Sequence, residues 1–117
     1  MARLNSHSVV GHGYYRLNKK GEPVECRSLG EWARSYERNR RIARTVAHGL
    51  AVSTVFLGID GSHGFGEPQL FETMIFRVGG DDGPNGGWID YQRRYPTLAA
   101  ALFGHAAAVA WVESQYS

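Results

Sequence analysis

Cysteine is almost absent from this chain. Cys26 stands alone, which excludes an internal disulfide and any zinc site built on paired thiolates. A reducing, cytoplasmic setting is the expectation that follows. Long apolar runs are missing too: the longest, Leu98 to Val112, is interrupted by Gly104 and His105 and falls short of the ~20 residues that span a bilayer. The first residues hold no apolar signal core, so no membrane partner is expected. Acidic residues are scarce in the first part, where residues 1–44 hold ten Lys/Arg against four Asp/Glu; residues 45–117 hold three against seven. The formal charge of +2 therefore hides two halves of opposite sign. Such segregation fits halves that fold onto each other, or a basic surface kept for an acidic partner.

What is present suffices for one folded domain. A chain of 117 residues with 43% hydrophobic and 21% charged residues is too apolar for disorder and too short for two ordinary domains. Residues 1–13 show no periodicity and read as a flexible arm, leaving 14–117 as a single α+β domain. Tyr14–Leu17 and Pro23–Cys26 flank the turn Asn18-Lys19-Lys20-Gly21, the pattern of a small hairpin, and Pro23 places it at a sheet edge. Ser28 and Glu31 form a capping box that predicts a helix over 29–43, with Leu29, Trp32, Ala33 and Tyr36 inward. Arg34, Arg38 and Arg41 then recur at i, i+4, i+7 on another face, with Glu37 four residues before Arg41. Residues 50–60, 69–78 and 87–95 read as an antiparallel meander separated by two glycine-rich turns. Thr97 caps a last helix over 97–114, whose stripe Leu98, Leu102, His105, Val109, Val112 is expected on the sheet. The predicted architecture is thus an antiparallel sheet covered by two helices, with the N-terminal hairpin as an added edge.

Candidate chemistry is sparse. Asp60 and Glu72 lie near one end of a predicted hairpin, with His63 in the intervening loop, a spacing that suits a divalent metal or an acid–base pair. Glu72 shares its predicted face with Leu70, Met74 and Phe76, so it needs a partner such as an arginine, a backbone N–H or a proton. The alternative for Asp60 is a cap on its turn. His105 is the polar side chain of the last stripe: either a structural donor bonded to Glu72 or Thr73, or a base oriented by Glu72. Cys26 lies near Arg27, which could lower its pKa, although a lone thiol is more often inert. Neither glycine-rich turn carries the lysine and hydroxyl of a phosphate loop. No cofactor and no metal are expected. The last helix is apolar all round, and its Phe103, Ala107 and Trp111 predict a homodimer contact across a two-fold axis.

One stretch is distinctive. Val52-Ser53-Thr54-Val55-Phe56-Leu57-Gly58-Ile59-Asp60, then His63, Phe65 and Pro68, then Leu70-Phe71-Glu72-Thr73-Met74-Ile75-Phe76, resembles a signature of small bacteriophage and prophage proteins of uncharacterised function. The likeness continues through Tyr14–Leu17, Gly21, Pro23-Val24, Glu31-Trp32-Ala33, Arg93, Tyr95 and Gly104–Ala107. It departs at Gly61-Ser62 and in the alanines of the last helix, where relatives carry glutamates. The resemblance implies a phage context, with the infected host's cytoplasm as location, and supplies no reaction. The expectation is a non-enzymatic accessory protein that binds a host protein or nucleoprotein complex and inhibits a defence system, as anti-CRISPR proteins do. Two other readings compete: a small enzyme using Asp60, Glu72 and His105, and a DNA-binding factor using the Arg34, Arg38, Arg41 face.

Overall fold

A computed structural model describes residues 13–60, 66–78 and 88–116, the side chains of Asn39, Trp88 and Asp90 excepted. Residues 1–12 of the expected arm, His63 and the Gly79–Gly87 turn lie outside the described residues. The elements run β1 (Tyr15–Leu17), β2 (Pro23–Glu25), α1 (Leu29–Asn39), β3 (Arg41–Ala47), β4 (Leu50–Phe56), β5 (Phe71–Arg77), β6 (Trp88–Tyr95) and α2 (Leu98–Gln115). Strands β3-β4-β5-β6 form one antiparallel sheet in sequence order, and β1-β2 form a second sheet of two strands. The α+β class and the meander agree with the sequence.

Strand β3 is the main departure. The helix predicted over 29–43 stops at Asn39, and Arg40 forms its C-cap. From Arg41 the chain turns into a strand because Ile42, Thr45 and Val46 are β-branched and because His48 and Gly49 both adopt positive φ, at 53° and 76°. That pair of conformations makes the two-residue turn matching the twist of adjacent strands, and it sets Ala47 opposite Leu50. A register shift between Arg41 and Ala43 lets Ile42 pack with the apolar cluster of Phe56, Leu70, Phe71 and Ala101.

The hairpin does not extend the main sheet. It docks on the segment after β4, where Tyr15 N–H donates to the Gly58 carbonyl at 2.7 Å and Asp60 N–H to the Gly13 carbonyl at 3.0 Å. Helix α1 packs on this hairpin rather than across the sheet, and its Trp32 Nε1 donates to the Leu57 carbonyl at 3.0 Å. Arg16 Nε donates to Glu31 Oε2 at 2.8 Å, which ties β1 to α1. The second Glu31 oxygen accepts from Arg27 N–H at 2.7 Å while Ser28 Oγ accepts from Glu31 N–H at 3.1 Å, so the capping box closes one residue early. The Arg27 N–H, with Arg16 alongside, holds the Glu31 carboxyl below the usual range.

Helix α2 covers one face of the sheet alone. Alternation puts Leu50, Val52, Thr54 and Phe56 of β4, and Phe71, Thr73 and Ile75 of β5, on that face. The residues of α2 that bury are Ala101, Gly104, His105, Ala108 and Val112, so the helix is rotated from the expected stripe and leaves Leu102 47% exposed. Small residues explain the rotation. A Cβ at Gly104 would overlap the Tyr95 ring, so the backbone sits closer to the sheet there than a leucine-lined stripe allows.

Candidate functional site

Between the two apolar clusters runs a polar seam. His105 Nδ1 bonds Thr54 Oγ1 at 2.7 Å, and its Nε2 bonds Thr45 Oγ1 at 2.9 Å. Thr54 Oγ1 also meets Thr73 Oγ1 at 2.6 Å, and Thr73 in turn hydrogen-bonds Tyr95. Threonines from β3, β4 and β5 therefore satisfy both ring nitrogens, which a buried imidazole requires. The expected bond from His105 to Glu72 does not form, because adjacent residues of a strand point to opposite faces: Thr73 faces α2 and Glu72 faces away. This separation removes the proposed dyad. Both ring nitrogens are engaged by hydroxyls, no acidic partner meets the ring among the described residues, and burial pushes the His105 pKa down.

The sign of the resulting pH dependence follows. Unfolded histidine titrates near ~6.5, so protonation below that value favours the unfolded chain, and the fold loses stability as pH falls toward the lower folded value. The melting temperature should drop between pH 7.5 and pH 5 by more in the wild type than in His105→Gln, whose amide cannot take up the proton. Equal drops would remove His105 as the cause.

Glu72 has partners of its own. It is buried on the opposite face, where Gln92 Nε2 donates to Glu72 Oε2 and Arg94 Nε donates to the same oxygen at 3.3 Å. The register explains the choice, since Glu72 stands opposite Arg94 and beside Met74, which is opposite Gln92. The arginine expected for a buried carboxylate is thus Arg94. Its Nη1 also donates to the carbonyls of Ile59 and Gln69, both at 3.4 Å, so it joins the chain on either side of the loop. Asp60 caps that loop, with its Oδ1 accepting from Gln69 N–H at 3.3 Å. Asp60 and Glu72 therefore hold one corner of the fold, joined through Gln69 and Arg94, while His105 lies on the other face of the sheet. Among the described residues no three His, Cys, Asp or Glu gather as a metal site.

Cys26 is buried. Burial raises its thiol pKa, and the nearby Glu31 adds to the rise, outweighing Arg16. The lowering expected from Arg27 is not what the site does, and the thiol is held in its unreactive form.

The arginine row is broken and partly rebuilt. Arg34 and Arg38 lie exposed on α1, but Arg41 belongs to β3, so the three do not share a helix face and Glu37 has no i, i+4 relation to Arg41 within a helix. Arg38 and Arg41 nevertheless meet at one open groove of about 410 Å³, lined also by Leu17, Asn18, Lys19, Gly21 and Ile42. Sequence spacing did not suggest Lys19, which the β1–β2 turn brings there. Asn18 fixes that turn: its Oδ1 accepts from Lys20 and Glu22 N–H at 2.8 and 2.9 Å, and its Nδ2 donates to Glu22 at 3.0 Å. Arg34 lines a different groove with Arg27, Ser28 and Glu31.

The outer face of α2 is apolar and exposed. Phe103 is 80% exposed, and Trp111 is 40% exposed while resting against Tyr91 at 5.5 Å between ring centres. Ala99, Ala106, Ala107 and Ala110 share this exposure. No helix among the described residues is long and apolar enough to cross a membrane. No family model, curated protein or solved structure matches the chain.

Proposed function

We propose that the protein acts by binding: a phage accessory protein that engages a host protein or nucleoprotein complex in the host cytoplasm and inhibits a defence system in the manner of an anti-CRISPR protein. The observation that carries the reading is the contrast between its charged groups. Asp60, Glu72 and His105 are all spent on local hydrogen bonds, whereas Arg38, Arg41 and Lys19 lie exposed around one groove with no ion-pair partner among the described residues. The signature from Val52 to Phe76 supports the phage context. Inverting Arg34, Arg38 and Arg41 to Glu should abolish retention of the partner from a host lysate on immobilised protein. It should also leave thermal unfolding nearly unchanged, since surface substitutions cost under about 0.5 kcal/mol. Undiminished retention by the triple variant would remove this surface.

The working unit in this reading is a homodimer joined through α2. Phe103, Ala107 and Trp111 sit on an uncharged face whose alanines permit close approach of two backbones. A specific interface has to cover roughly 1,000 Å² in total, and the exposed Phe103 and Trp111 are the large side chains this face offers toward it. Sedimentation at micromolar concentration should give twice the 13.0 kDa of one chain, and Phe103→Glu should return a folded monomer. A wild-type monomer would sink the dimer.

A further inference from the structure

We propose that the groove between the β1–β2 turn and the α1–β3 junction holds the phosphate backbone of a single-stranded nucleic acid, a step that rests on the binding reading and names the chemistry of its partner. Lys19, Arg38 and Arg41 reach the groove from three separate segments, and all three are exposed. Arg16 pairs with Glu31 and Arg94 with Glu72, and among the described residues no ion pair includes Lys19, Arg38 or Arg41. Glu22, beside the turn, is committed to Asn18. Arg44 is exposed on β3 three residues beyond Arg41, roughly 10 Å along a strand, and continues the positive track past the groove.

The composition of the groove selects the partner. Protein-binding patches concentrate aromatic and aliphatic anchors at their centre and are depleted in lysine. Among the described residues no aromatic side chain lines this groove, and its apolar members, Leu17 and Ile42, are engaged with the core cluster. Lys19 on the turn fixed by Asn18, with Arg38 and Arg41 beside it, all unpaired among the described residues, suits phosphates, with lysine as a point charge and arginine as a fork. The cations line a recess of about 410 Å³, and a flexible single strand can bend its backbone into a recess more readily than a stiff duplex can. Without an aromatic platform for bases, contact is confined to the backbone, and sequence preference is weak.

The test is anisotropy titration of the full chain with a fluorescent mixed-sequence 20-nucleotide DNA strand and with its duplex, across a salt series. Three phosphate contacts on a single strand give a slope of log affinity against log salt of about −2. Lys19→Gln, Arg38→Gln and Arg41→Gln should each flatten the slope by about 0.7, and the triple variant should lose at least tenfold in affinity at low salt with an unchanged melting temperature. Arg77→Gln, exposed at the opposite end of β5, should leave the slope as it was. Absence of strand binding by the wild type, a slope the three variants do not alter, or equal preference for the duplex would overturn the proposal. If strand binding is absent while a host component is still retained through Arg38 and Arg41, this inference falls and the binding function stands. If both are absent, both fall.

Discussion

Gly58→Ala should destabilise the protein by about 3 kcal/mol and release the N-terminal hairpin from the segment after β4. Gly58 has φ of +71°, a conformation that costs a residue with a Cβ about 1–2 kcal/mol. The methyl group would also overlap the Tyr15 carbonyl oxygen and stand 2.8 Å from Trp32 Nε1. Relief requires moving β1 or α1, which strains the Tyr15-to-Gly58 and Trp32-to-Leu57 hydrogen bonds, each worth about 1 kcal/mol. Denaturant unfolding measures the loss, and a cost below about 1 kcal/mol would mean that the crossing is not tight. Gly58 thus has a structural reason: two backbones cross there.

Gly104→Ala should destabilise by about 2 kcal/mol, against the ordinary direction of such a change. In an exposed helix interior alanine is favoured over glycine by about 1 kcal/mol. Here the added methyl falls on Cζ, Oη and Cε1 of Tyr95, a ring fixed in the cluster of Phe56, Leu70, Phe71 and Ala101. Overpacking of this kind costs about 1–3 kcal/mol and occasionally more. A cycle with Tyr95→Ala separates the terms, because in that background the overlap is gone and Gly104→Ala should become neutral or stabilising. Destabilisation of equal size in both backgrounds would contradict the account.

Much of the fold was legible because local signals agreed. Ser28 and Thr97 cap the two helices as expected, and the Asn18–Gly21 turn makes the small hairpin. Strand β3 was hidden by a coincidence: Arg34, Arg38 and Arg41 fall at helical spacing although the third lies past the helix end. The decisive signal was His48-Gly49 between β-branched segments, a turn that fixes strands on both sides. The orientation of α2 was not legible, since a helix apolar on every side offers no amphipathic stripe to read. Its contact face is set by the small residues Ala101, Gly104 and Ala108 meeting a sheet whose shape the sequence does not display. The candidate site divided similarly. Glu72 needed a cationic partner and has Arg94, but its separation from His105 depends on strand facing, and Lys19 joins Arg38 and Arg41 only through tertiary docking of the hairpin.

The central claim is that this protein works through its cationic groove and that its buried acid–base groups are scaffold. Retention of host macromolecules from lysate on immobilised protein, at a temperature where every variant is folded, tests it most directly. The account predicts that Lys19→Glu/Arg38→Glu/Arg41→Glu abolishes retention with its melting temperature intact, while Glu72→Gln lowers the melting temperature and retains the partner as the wild type does. The opposite pattern, full retention by the groove variant and loss in a stable Glu72→Gln protein, would contradict it.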